Sequence, residues 1–217
     1  MKKNMYSLML SEGVVRAVDA LAAKQGTNRS NLVNQILAEH LSLVTPEKHV
    51  RNVFDIIEQL MGRQDFLLFS QPNDLTMSIK SSLRYHYRPT IRYEVEMYRT
   101  PGRTFGQLKV SYRTTSAELL VDLTRFFKIW MRLEEIYVAQ FFDDGAISYS
   151  LENGRFCRTF ALPHDRQYSE EQLANAISGY IALFDEMLKD YLDGKYASLT
   201  DMENRYVAYL NGGAQII

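Results

Sequence analysis

Residues 5–44 read as one short strand followed by two short amphipathic helices, and a strand with no neighbour in sequence to pair with is a severe constraint on any fold. Met5-Tyr-Ser-Leu-Met-Leu10 alternates, with Tyr6, Leu8 and Leu10 on one face and Met5, Ser7 and Met9 on the other. A period of two marks a strand buried on one side. Ser11 stands at an N-cap position, and Val14, Val15, Val18, Leu21 and Ala22 follow at helical spacing. Gly26 suits the left-handed residue that ends a helix, and Asn28 caps a second helix with Leu32, Val33, Ile36, Leu37 and Leu41 on one stripe. Thr45-Pro46 closes the unit. So short a strand does not stand alone as a sheet, and the expected supplier of a partner strand is a second copy of the chain.

These residues resemble the ribbon-helix-helix family of prokaryotic and phage regulators, the Arc/MetJ-type repressors. The resemblance is carried by Tyr6-Ser-Leu-Met-Leu-Ser11, Val14-Val-Arg-Ala-Val-Asp-Ala-Leu21 and Gly26-Thr-Asn-Arg-Ser-Asn-Leu-Val33, and it covers residues 4–44. It implies two intertwined protomers whose paired strands enter the DNA major groove as a two-stranded ribbon. On that footing the outward residues Met5, Ser7 and Met9 meet base edges, and Lys2 and Lys3 add phosphate or groove contacts. Asn28, Arg29 and Ser30, at the amino end of the second helix, grip phosphate. Met5 and Met9 depart from the polar or basic outward positions usual in the family, since a methionine makes no bidentate contact to a base. A one-residue slip would turn Ser7 into the core, which fixes the register.

Composition sets bounds. At 217 residues and 46% hydrophobic the chain is globular, with room for two domains. No apolar run reaches the roughly 18 residues of a membrane helix, and no signal-peptide core stands at the amino end, so the expectation is a soluble, cytoplasmic protein with no membrane partner. The single Cys157 permits no intrachain disulfide and is expected as a small core residue of a strand. Net charge is −1, yet residues 1–45 hold five basic against three acidic residues, and residues 80–113 hold eight basic residues against Glu94 and Glu96. The chain is electrostatically polarised.

Residues 46–217 predict an α+β domain with an antiparallel sheet and helices on one face. Thr45 caps a helix with Pro46 at its first position and Val50, Val53, Phe54, Ile57, Leu60 and Met61 on its stripe. Residues 65–113 read as an antiparallel meander: Phe66–Phe69, a turn at Gln71-Pro-Asn-Asp74, then alternations through Ile79, Tyr93, Val95, Val110 and Tyr112. Thr115-Ser-Ala-Glu118 opens a helix as a capping box, and further strands are expected at Ile136–Phe142 and around the Asn153-Gly154 turn. Ser169-Glu-Glu-Gln172 caps a long helix and Thr200-Asp-Met-Glu203 a short last one.

No phosphate-binding GxxxxGK[ST] loop, GxGxxG or GxSxG is present, and the expectation is a protein that is not an enzyme and uses no cofactor. His40, His49, His86 and His164 are scattered, so no metal site is expected, and Asp143-Asp144 beside Gly145 reads as a turn. Arg84, His86, Arg88, Arg92, Arg99 and Arg103, interleaved with tyrosines, form a candidate patch for an anionic ligand or nucleic acid. The competing reading is a solvated sheet face with arginines paired to Glu94, Glu96 or helix acids.

Taken together, residues 1–45 are expected to form a ribbon-helix-helix domain, and residues 46–217 an α+β domain for oligomerisation or effector sensing. The function expected is a homodimeric, sequence-specific DNA-binding transcriptional regulator, a repressor, with double-stranded DNA as partner and higher-order assembly on it. The competing expectation is a dimeric protein-interaction or antitoxin-like protein that uses the same module for assembly.

Overall fold

The computed structural model describes residues 5, 7–41, 43–62, 66–70, 75–83, 89–152, 154–164 and 166–217. Within them the chain does not begin with a strand. Residues 5 and 7–11 join no ladder, and the first element is a helix, α1 (Glu12–Lys24), followed by α2 (Arg29–His40). Alternation shows which face of a strand could be buried, but it supplies no partner. Met5 and Met9 are fully exposed, and Leu8 and Leu10 are exposed as well. Among the described residues the ribbon is absent. With it fall the ribbon-helix-helix assignment, the insertion into the major groove, the repressor function and double-stranded DNA as partner. The homodimeric or antitoxin-like assembly through the same module falls too.

The two helices pack on each other around Val18, Ala22 and Leu32, with Val33 against them. Ser11 occupies the N-cap of α1 but its side chain makes no capping bond, whereas Asn28 accepts the Asn31 N–H at 2.9 Å at the start of α2. Gly26 between them is left-handed (φ 64°). Half of the expected stripe, Val14, Leu21, Ile36, Leu37 and Leu41, remains exposed.

After the hairpin comes α3 (Pro46–Met61), with Thr45 accepting the Lys48 N–H at its N-cap as the sequence predicts. Then follow β1 (Leu67–Ser70), β2 (Thr76–Ser82), β3 (Thr90–Met97), β4 (Thr104–Tyr112), α4 (Ala117–Tyr137), a 3-10 turn (Ala139–Phe141), β5 (Tyr149–Glu152), β6 (Arg155–Ala161), α5 (Glu170–Leu192) and α6 (Leu199–Asn211). The Gln71–Asp74 turn and Asn153 lie outside the described residues. All strands join one antiparallel sheet in the order β1-β2-β3-β4-β6-β5. The overall class is α+β.

Ile136–Phe142 is not a strand. The apolar stripe of α4 (Leu119, Leu123, Phe126, Phe127, Trp130, Leu133) runs on through buried Glu134 to Val138, while Ile136 and Phe141 stay exposed. A glutamate in the stripe disguised the helical period. The caps shift too: Ser116 caps α4 in place of Thr115, and Ser198 with Asp201 forms the box of α6 in place of Thr200 with Glu203. The Ser169/Gln172 box of α5 forms as expected.

One face of the sheet carries Ile79, Tyr93, Val95, Leu108, Val110, Phe156 and Phe160, all fully buried in the core shared with α3, α4 and α5. Each such side chain contributes about 1.5–3 kcal/mol by burial, so this face fixes the architecture. Asp185 of α5 is tied to the same face by Tyr93 Oη at 2.8 Å and Ser81 Oγ at 3.1 Å, and Lys189 Nζ, one turn on in the same helix, reaches it at 2.7 Å. The other face is polar: Arg92 reaches Glu94 at 3.2 Å and Lys109 reaches Glu96 at 2.6 Å. Cys157 belongs to that face, opposite Lys109 and half-buried, because its neighbours Phe156 and Arg158 take the core side. It is not the core residue its strand suggested. Among the described residues no helix is long and apolar enough to cross a membrane.

Candidate functional site

A cleft of about 490 Å³ opens where the amino end of α3, the β3–β4 turn and the first turns of α5 meet. Its apolar lining comes from Val44, Pro46, Val50, Met97, Phe105 and Leu173, and its polar groups from His49, Tyr98, Arg99 and Thr100. That size and mixture are those of small-molecule sites.

A bulge shapes the floor. Along β4, Thr104 pairs with Ala161 and Gly106 with Phe160, so Phe105 is the extra residue. In a regular strand Phe105 would share the polar face with Gln107 and Lys109, whereas the bulge turns it inward to 8% exposure. Gly106 makes the close strand approach possible: a Cβ there would lie 2.5 Å from the Glu96 carbonyl oxygen. The hairpin closes with the Tyr98 N–H donating to the Phe105 carbonyl at 2.8 Å.

The rim is braced by polar contacts between elements. Arg99 Nε sits 2.8 Å from Glu47 of α3, tying the turn to that helix. His49 Nδ1 lies 2.9 Å from Glu170 of α5, and Asn52 donates to the other oxygen of the same carboxylate at 2.9 Å. Burial pushes the Tyr98 hydroxyl above its ordinary range, with Glu96 adding to the shift and Lys109 opposing it. The cleft thus pairs an apolar floor with a polar rim that carries Arg99, 44% exposed and paired through its Nε to Glu47.

Of the patch residues singled out by sequence, the described ones, Arg92, Arg99 and Arg103, lie apart. Arg92 lies near the start of β3 on the polar face and donates to Ser78 Oγ at 2.7 Å, Arg99 lies beyond the far end of β3 in the cleft, and Arg103 is exposed on the turn. Arg84, His86 and Arg88 lie outside the described residues, as do Lys2 and Lys3. Met5, Ser7 and Met9 are exposed before α1, and Ser30 is exposed on α2. Arg29 Nε contacts Asp19 of α1 at 2.6 Å, an exposed pair that raises the arginine pKa and lowers the carboxyl. Among the described residues no three of His, Cys, Asp and Glu converge as a metal site would require.

Sequence reasoning missed Phe105, His49, Glu170 and Leu173. The adjacent Phe105-Gly106 in a strand of otherwise even-numbered apolar residues is the signal that could have found the bulge. No local signal joins His49 to Glu170, which are far apart in the chain.

The fold defines this chain as an α+β protein with an antiparallel sheet covered on one face by helices. No protein-family model matches the chain, and no curated protein or solved structure is significantly similar to it.

Proposed function

We propose that the α+β unit is a binding domain for a compact, largely apolar molecule bearing one anionic group. The carrying observation is the cleft floored by the bulged Phe105 with Arg99 at its lip. The floor accepts the apolar body by excluding water from Val50, Met97 and Leu173. The Arg99 guanidinium meets the anion with a charge-assisted hydrogen bond.

The test uses the full chain and the fluorescent probe anilinonaphthalene sulfonate. Octanoate is expected to displace the probe at lower concentration than octanol, and Arg99→Ala to remove about a tenfold preference for the carboxylate. Leu173→Trp, with its fold checked by circular dichroism, should fill the cleft and abolish probe binding. Equal probe binding by the wild type and folded Leu173→Trp would place the ligand elsewhere and overturn the reading.

A further inference from the structure

Glu170 fixes the tautomer of His49. Its Oε2 accepts from Asn52 Nδ2 at 2.9 Å, and its Oε1 lies 2.9 Å from His49 Nδ1. An ionised carboxylate only accepts, so a neutral His49 must carry its proton on Nδ1. Nε2 is then a bare lone pair, a hydrogen-bond acceptor. Among the described residues Nε2 has no hydrogen-bond partner. The ring belongs to the lining of the cleft formed with Val50, Met97, Phe105 and Leu173, and 38% of the His49 side chain is exposed.

Asn52 makes the arrangement directional. It stands three residues after His49 on α3, so the two side chains share a helix face and both reach Glu170, the first residue of α5. The amide can turn only its nitrogen to the carboxylate, and the imidazole only its protonated nitrogen. Elsewhere in the lining, Arg99 has donors and no acceptor. The cleft therefore offers unlike polar groups, donors on Arg99 and an acceptor on His49. An acceptor that loses its water to a ligand costs free energy unless the ligand brings a proton to it. A site with such a group rejects an analogue that lacks the donor.

We propose that His49 selects the ligand of this cleft by accepting a hydrogen bond at Nε2, a step that rests on reading the cleft as a site for an apolar molecule with one anion. The preferred ligand is then an amphiphile with an O–H or N–H donor beside its anionic group. A hydroxylated carboxylic acid and an N-acyl amino acid share that chemistry. Arg99 meets the anion and His49 the donor, while Glu170 and Asn52 are positioning residues that act through His49. Glu170→Gln should invert the selection. Asn52 still offers its N–H, so the new amide turns its oxygen there and its nitrogen to His49 Nδ1. Nδ1 becomes the acceptor, the ring takes its other tautomer, and Nε2 donates into the cleft.

The experiment uses the full chain at about pH 8, where imidazoles are neutral. Two pairs of near-isosteres compete with anilinonaphthalene sulfonate: N-hexanoylglycine against O-hexanoylglycolate, and β-hydroxyoctanoate against β-methoxyoctanoate. One member of each pair carries the donor and the other lacks it. The wild type should favour the donor member by about three- to tenfold in at least one pair, and that pair tells an acyl amino acid from a hydroxy acid. Glu170→Gln should reverse the preference and His49→Phe should lose it, with the fold of each checked by circular dichroism. Long-range proton–nitrogen NMR correlations should place the His49 proton on Nδ1 in the wild type and on Nε2 in Glu170→Gln. Equal displacement within both pairs, a preference that survives in a folded variant, or a wild-type ring protonated on Nε2 overturns the selection by His49 and leaves the cleft as a binding site. Probe binding unaffected by Leu173→Trp overturns both.

Discussion

The Phe105 ring stacks on Phe160 across β4 and β6, with centroids 5.8 Å apart and planes inclined by 22°. The pair exists because β4 carries one residue more than its partner at that point. It joins the floor of the cleft to the aromatic core, so a change in the bulge is felt in both.

Gly106→Ala should therefore be costly. Its new Cβ meets the Glu96 oxygen at 2.5 Å and the Met97 Cα at 3.3 Å, both backbone atoms that cannot swing aside. A loss of about 1–3 kcal/mol is expected in urea denaturation, together with weaker probe binding in the cleft. A variant as stable as the wild type would show that β3 and β4 have room to separate there.

The buried ion pair of Glu134 and Arg158, 3.1 Å apart, makes a sharper prediction. Glu134→Gln leaves Arg158 without its counter-charge and should destabilise the protein by about 3–5 kcal/mol. Replacing both partners, Glu134→Leu with Arg158→Met, should recover most of that loss because no charge is left stranded. Additive losses in the double variant, read from denaturation midpoints, would mean that the two residues act separately.

Trp130, the one tryptophan, is fully buried, donates from Nε1 to Tyr180 Oη at 2.7 Å and packs edge-on against Phe184 at 4.7 Å. Its fluorescence should shift to longer wavelength on unfolding. Tyr180→Phe strands the indole N–H and one bond to Glu134, with an expected cost of about 1–3 kcal/mol. Unchanged emission across the urea transition would contradict the burial of the indole.

On the polar face the hydrogen bond from Lys109 holds the Glu96 carboxyl below its ordinary value of 4.5; burial opposes this and Gln107 adds to it. A lowered folded-state pKa means stability that is complete above about pH 4.5 and is lost as pH falls through the folded value. The site is solvated, so the effect is only a fraction of about 1 kcal/mol. Lys109→Met should flatten the stability profile between about pH 6 and about pH 3 relative to wild type. Parallel profiles in the two proteins would remove this ion pair as a source of acid sensitivity.

The sequence by itself determined the elements whose causes are local. The Thr45-Pro46 start of α3, the Asn28 cap, the Ser169/Gln172 box and the alternation through Tyr93 and Val110 each depend on neighbours a few residues away. Such interactions leave a readable period or cap. Tertiary structure alone decided the rest. Residues 5–10 alternate like a strand, yet the described ones, 5 and 7–10, form none, because a ladder needs a partner that alternation cannot supply. Glu134 broke the visible stripe of α4, and only the approach of Arg158 from β6 explains why a carboxylate belongs there. Cys157 and Phe105 lie on faces that parity and a bulge assign once β4 and β6 pair. The cleft was illegible for the same reason: His49, Arg99 and Leu173 meet only after α3, the β3–β4 turn and α5 close on one another, and contacts between residues distant in the chain leave no period in the sequence.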